Sequence, residues 1–164
     1  MRRHLFDDRI VEAGQVTGFI DTSLRDFAAE GFGLWALRPA PPDADPRDPA
    51  LRRAAPVGVV GLRRKGGPGR DPEVEIVYSL EPEHWGRGLA TEAARAVLDH
   101  AFGVLGLPRV VAEVDRANTA SVRVAENLGM RPYTDDSASR RAAGEEAGGS
   151  DALLRFVAER GGSP

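Results

Sequence analysis

The stretch Glu73-Val74-Glu75-Ile76-Val77-Tyr78-Ser79-Leu80, followed after a short connector by Trp85-Gly86-Arg87-Gly88-Leu89-Ala90-Thr91-Glu92-Ala93, decides how this chain folds. Its first part is rich in β-branched and aromatic residues and predicts a strand from Glu73 to Leu80. Its last part opens a stripe, Ala90, Ala93, Ala94, Val97, Leu98, Ala101 and Leu105, at helical spacing, predicting a helix from Leu89 to Leu105. Gly86 and Gly88 lie between them and can take φ > 0 and approach a ligand closely. A turn feeding a helix presents N–H groups without intrahelical partners at the positive end of the helix dipole, which suits a phosphate. Arg87 adds a charge-assisted donor. A plain tight turn before a helix has the same local pattern, so the neighbouring sequence has to arbitrate.

Downstream, Gly106-Leu107-Pro108 stops the helix, and Arg109 to Asp115 reads as a buried strand. Strand, helix and strand over residues 73–115 make a parallel crossover. Asn118 to Leu128 reads as a short helix, with Asn118 or Thr119 as N-cap and Gly129 as its stop. Upstream, Val16, Phe19, Ile20, Leu24 and Phe27 form one apolar face of a helix within residues 11–30, closed by Gly31. Residues 32–38 and 56–65 read as strands. The proline-rich segment 39–49 between them reads as a long hairpin loop, and 66–72 as a second turn. The result is a mixed α/β (α+β) sheet, an antiparallel meander followed by a β-α-β crossover. Residues 1–164 are expected to form a single domain, with 134–150 a mobile loop and Leu153 to Val157 a last strand.

Composition narrows the function. The 164 residues carry 41% apolar and 29% charged residues, a globular balance with no run near the roughly 18 apolar residues of a membrane span. The acidic start after Arg3 does not resemble a signal peptide, and the chain reads as cytoplasmic with no membrane partner. Without cysteine there is no disulfide, thiol nucleophile or Cys-ligated metal, and His4, His84 and His100 lack metal-ligand spacing, so no metal is expected. A net charge of −3 gives no global field for nucleic acid. Of the 22 basic residues all but one are arginine, a bias that fits a GC-rich genome.

Taken together, Glu75-Ile76-Val77-Tyr78-Ser79-Leu80, Gly86-Arg87-Gly88-Leu89-Ala90-Thr91-Glu92-Ala93 and the later Asn118-Thr119-Ala120-Ser121-Val122-Arg123-Val124-Ala125-Glu126-Asn127-Leu128-Gly129-Met130 resemble the GNAT N-acetyltransferases. Within them the chain is most similar to the branch containing the ribosomal-protein N-terminal acetyltransferases. The resemblance covers roughly residues 1–133 and implies the GNAT fold with acetyl-CoA as co-substrate. It implies that the pyrophosphate lies on Arg87, Gly88, Leu89, Ala90 and Thr91. The pantetheine arm would bond to the main chain of Tyr78, Ser79 and Leu80, and Asn118 would contact the cofactor as well as, or instead of, capping a helix.

Acetyl transfer to an amine needs a neutral amine, a stabilised oxyanion and a proton for the thiolate. An α-amine has a pKa of about 7.7–8.0 against about 10.4 for an alkylamine, so an α-amine needs only a modest base. Glu75 matches the family's strand glutamate and is the candidate base, directly or through water; Glu73, two residues away, shares its face. An exposed strand carboxylate is the competing reading of Glu75. An N–H near Leu80 would serve the oxyanion. Many members use a tyrosine of the last motif helix as acid, where this chain has Ala125. The resemblance gives that part to Ser121, whose alternative is helix capping, and a thiolate with a pKa of about 8.5 leaves tolerably unaided. His84 is read as solvating the loop.

The branch normally begins with an Arg-rich strand and a helix ahead of the segment that Met1 to Phe6 resembles. Hence the expectation is a shortened N-terminus, with Met1 an internal methionine of a longer frame or the protein naturally short, and an unpaired sheet edge that favours a homodimer. The amine acceptor, small molecule or protein N-terminus, is left open. Two other classes are weighed: a catalytically silent GNAT-like module binding CoA or a protein, and a dinucleotide-binding dehydrogenase using the glycine turn with Glu113. Thr91 at the third glycine position and the antiparallel meander argue against the dehydrogenase.

Overall fold

The computed structural model describes residues 13–41, 43–45, 47–65, 73–133 and 153–161. In order these form α1 (Ala13–Glu30), β1 (Leu34–Leu37), α2 (Pro49–Arg53), β2 (Gly58–Lys65), β3 (Glu73–Leu80), α3 (Leu89–Gly103), β4 (Arg109–Asp115), α4 (Thr119–Asn127), β5 (Arg131–Pro132) and β6 (Leu153–Glu159). The segment 134–150, expected to be a loop, lies outside the described residues, as do Met1 to Phe6. Among the described residues no helix is long and apolar enough to cross a membrane.

The strands make one six-stranded mixed sheet in the order β1-β2-β3-β4-β6-β5. The meander β1-β2-β3 is antiparallel, β3 and β4 are parallel, and β6 runs antiparallel between β4 and β5. Strand alternation sends Val74, Ile76 and Tyr78 of β3 and Val110, Ala112 and Val114 of β4 to one face. There they meet Ala94, Val97, Leu98 and Ala101 of α3, the i, i+3, i+4, i+7 stripe of that helix. The small side chains of this stripe let α3 lie close on the sheet. Residues Glu73 and Glu75 therefore point to the opposite face.

Two expectations need correction. The proline-rich segment 39–49, expected to be loop throughout, runs into the short helix α2, which Asp48 caps through a bond from the Ala50 N–H (2.8 Å) with Pro49 in its first turn. Pro49, at the first helical position, starts a helix here instead of ending one. Helix α1 exists, but three residues of its apolar stripe turn outward: Phe19, Ile20 and Leu24 are 46%, 54% and 61% exposed. The inward line is Ser23 and Phe27. The Ser23 hydroxyl accepts from the Leu34 N–H at 2.7 Å, and the Phe27 ring meets Trp35 edge-on at 4.8 Å, which fixes the roll of the helix. Beyond these, β5 was not anticipated, and the last strand expected at Leu153 to Val157 is β6, which lies between β4 and β5 in the sheet.

Candidate active site

The turn between β3 and α3 is built from the main chain. A 3₁₀ turn at Pro82–His84 leads to Trp85, whose indole N–H reaches back to the Leu80 carbonyl at 2.8 Å. Gly86 and Gly88 follow with φ of 71° and 76°, the left-handed region. A Cβ at either position would meet nothing within 4 Å, so these glycines are required by backbone conformation and not by crowding. Gly88 is the N-cap of α3, with no side chain capping it. Its carbonyl takes the first helical bond from Glu92 at 3.0 Å. The first-turn N–H groups of Leu89, Ala90 and Thr91 are thus left to an outside acceptor. Arg87 is exposed, and its Nη1 lies 3.3 Å from His84 Nδ1, which makes His84 a partner of Arg87.

This turn opens into a gap in the sheet. Strand β3 is paired with β2 along its whole length, from Glu73↔Lys65 to Leu80↔Gly58, and β4 is paired with β6 from Arg109↔Glu159 to Asp115↔Leu153. Between β3 and β4 themselves there is a single described bridge, Glu75↔Val111. Past it the strands part, and Ile76–Leu80 and Ala112–Asp115 face each other without a ladder. An extended chain of ligand can occupy such a gap by bonding to the unpaired edges. Of the strand groups expected to do so, the Leu80 carbonyl is already engaged by Trp85.

On the α4 side of the gap, the Tyr78 hydroxyl donates to the Ser121 carbonyl at 3.0 Å. Asn118 caps α4, its Oδ1 accepting from the Ser121 N–H at 3.1 Å. Asn118, not Thr119, is therefore the cap, and Ser121 is fixed through its main chain while its hydroxyl is not the capping group. Burial pushes the Tyr78 phenol up to about 12, and the Ser121 side chain beside it opposes the rise. Ala125, one helical turn beyond Ser121, is 0% exposed in the core.

On the other face lies a group of charges that the sequence reading did not assemble. Glu75 is 2% exposed, which overturns its reading as an exposed strand carboxylate. Its Oε2 accepts from Arg63 Nε at 2.7 Å, and Lys65 Nζ lies 3.9 Å from its Oε1. Lys65 also pairs with Glu113 of β4. Arg155 of β6 holds Glu113 at 3.2 Å and Glu73 at 2.5 Å, and Arg109 holds Glu73 at 3.1 Å. The Tyr133 ring lies 5.8 Å and 5.4 Å from the guanidinium carbons of Arg109 and Arg155. The cross-strand pairing Arg63↔Glu75 follows from the β2–β3 register, which is where the sequence held a signal. The closure by β6 did not.

A shallow depression of about 560 Å³ begins at Gly88 and Thr91 and runs along the outer side of α3 past Glu92, Arg95 and Asp99 to Asn127. Arg95 Nη2 donates to the Asn127 carbonyl there at 2.5 Å.

Residues 3–131 match the family model of the acetyltransferase (GNAT) domain. The chain belongs to the GNAT acetyltransferase family. A solved GnaT-family acetyltransferase of Bordetella pertussis is 28% identical with a TM-score of 0.68, over 95% of this chain and 83% of that one. The N-acetyltransferase p20 of Bacillus licheniformis, itself uncharacterized, is 39% identical over 57 residues, 35% of this chain and 32% of p20. A spermidine N-acetyltransferase of Vibrio cholerae, solved with CoA and spermine, shares the fold at 15% identity and TM-score 0.60, over 92% of this chain and 77% of that one. The chain spans about a third of the length of the curated relatives it matches. These likenesses establish the GNAT domain; they do not single out the ribosomal-protein branch.

Proposed function

We propose that this GNAT domain is an acetyl-CoA-dependent N-acetyltransferase that transfers an acetyl group to a primary amine by direct attack on the thioester. The observation that carries the reading is the single bridge Glu75↔Val111, beyond which β3 and β4 part toward the glycine turn. An uncapped helix start at one end and a strand gap leading from it match a diphosphate with a long amide-bearing arm. The diphosphate oxygens take the N–H groups from Gly88 to Thr91 with Arg87 beside them. The arm then runs along Tyr78 and Ser79, and the depression past Arg95 gives the nucleoside end a surface next to the turn.

At the inner end of the gap the amine meets Glu75, which takes its proton directly or through water. The amine nitrogen bonds to the thioester carbonyl carbon, the C–S bond breaks, and Ser121 supplies a proton to the thiolate. Asn118 holds the start of α4 in place for this step. The acceptor is a primary amine, either a small molecule such as a polyamine or a protein N-terminus as in the ribosomal-protein branch. The buried Ala125 in place of an acid supports the second reading, a silent CoA-binding module.

Calorimetric titration of acetyl-CoA into the purified chain, together with thiol release on adding amines, separates the two. Binding with thiol release supports the transferase. Binding without turnover of any amine supports the silent module, and no binding by folded protein removes both.

A further inference from the structure

Lys65 is the single lysine among the 22 basic residues of the chain, and it ends β2 opposite Glu73. Its side chain does not run out into solvent. It crosses over β3 to pair with Glu113 on β4, passing Glu75 with its Nζ at 3.9 Å from Oε1, and is 30% exposed. Glu75 belongs to the last bridge before β3 and β4 part. The chain therefore holds a primary amine of its own at the inner end of the gap, against the carboxylate that an acceptor amine has to reach. The neighbouring cations on that face, Arg63, Arg109 and Arg155, are guanidiniums, which stay protonated and are not nucleophiles.

We propose that Lys65 is a self-acetylation site, the chain modifying its own Nζ from acetyl-CoA bound in the gap; this rests on the transferase reading above. In the step, the Lys65 ammonium gives a proton to Glu75, and the neutral nitrogen attacks the thioester carbonyl. A C–N bond forms, the C–S bond breaks, and the departing thiolate takes a proton to leave CoA as the free thiol. The product is a neutral amide at Lys65. Both carboxylates keep a second partner afterwards, Glu75 with Arg63 at 2.7 Å and Glu113 with Arg155 at 3.2 Å, so modification does not leave a buried charge alone. It does release the inner end of the gap from the resident ammonium and opens Glu75 and Glu113 to an incoming amine.

The test incubates the purified chain with acetyl-CoA and no added acceptor, and follows intact mass with peptide mapping. Parallel tubes contain Lys65→Arg, Glu75→Gln and wild type unfolded in urea, and a separate assay measures thiol release with spermidine or a short peptide as acceptor. The expected result is one acetyl group per chain on Lys65, at a rate independent of protein concentration. It should be absent in Lys65→Arg, and about 100-fold slower in Glu75→Gln assayed under conditions where that variant is fully folded. If wild type acetylates an external amine while Lys65 stays unmodified, or if Lys65 is modified equally fast in the unfolded chain, self-acetylation is overturned and the transferase stands. If no amine, internal or external, is acetylated by folded protein, the transferase reading itself has failed and the site goes with it.

Discussion

The Tyr78 hydroxyl donates to the Ser121 main-chain carbonyl at 3.0 Å, so a β3 side chain is tied to the first turn of α4 beside the gap where β3 and β4 part. Replacing Tyr78 by Phe keeps the ring in the core and removes the bond, and is expected to cost about 1 kcal/mol in urea unfolding. The pH dependence follows from the phenol's rise from 10.0 to about 12, caused first by burial. A group whose folded value is raised contributes stability that is present below its unfolded value and is lost as pH climbs through the folded one. Wild type should lose about 2 kcal/mol on going from pH 10 to 12 through this group, and Tyr78→Phe should lack that part of the slope. Equal slopes for the two proteins would show that Tyr78 is not held neutral by the fold.

At the glycine turn, conformation and ligand contact can be separated. Gly86→Ala and Gly88→Ala place a methyl in open space at φ of 71° and 76°, and each should cost about 1 kcal/mol in the same assay. Arg87→Ala leaves the turn's backbone alone and should leave stability unchanged while weakening acetyl-CoA binding by roughly 10-fold, the loss of one charge-assisted bond. Calorimetry checks the second half. Unaltered affinity in Arg87→Ala would mean that its side chain stays with His84 and takes no part in binding.

The elements that position the site could be read from the chain because each has a local cause. β3 and β4 were bounded by their β-branched runs, α3 by Gly88 and its small-residue stripe, and α4 by Asn118 at its start. The roll of α1 could not be read, because hydrophobic periodicity counts Phe19, Ile20 and Leu24 but not the Ser23–Leu34 bond that turns them outward. Nor could the charges around Glu75. Arg63 comes from a hairpin register, Glu113 from the parallel neighbour, and Arg155 from β6, whose insertion beside β4 leaves no mark on residues 109–115. Local pattern locates a carboxylate; only topology says which cations surround it.

Glu75→Gln tests the base. The amide is nearly isosteric and can still accept from Arg63 Nε, so the fold should persist with a lowered urea midpoint from the lost charge pairing. Turnover should fall by about 100-fold or more with acetyl-CoA affinity little changed, because Glu75 lies at the far end of the gap from the turn. The comparison of acceptors is informative as well. An acceptor with an α-amine, which is already partly neutral near pH 8, should lose less than an alkylamine. Equal kcat in the variant and wild type with both acceptors would remove Glu75 from proton transfer.

Asn118 and Ser121 share one hydrogen bond yet should respond differently to loss of their side chains. Asn118→Ala deletes the cap on the Ser121 N–H and should cost about 1 kcal/mol, with the start of α4 loosened next to the gap. The bonds of Ser121 to Asn118 and from Tyr78 through its main chain survive in Ser121→Ala. Alanine is also the better helix former. Its stability should stay within about 0.5 kcal/mol of wild type. A fall in kcat of about 10- to 100-fold in Ser121→Ala, at unchanged stability and acetyl-CoA affinity, then reports proton delivery to the thiolate and not folding. Unchanged kcat would mean that the thiolate departs unaided or is protonated by water, and that the absence of a tyrosine at Ala125 is tolerated without a substitute.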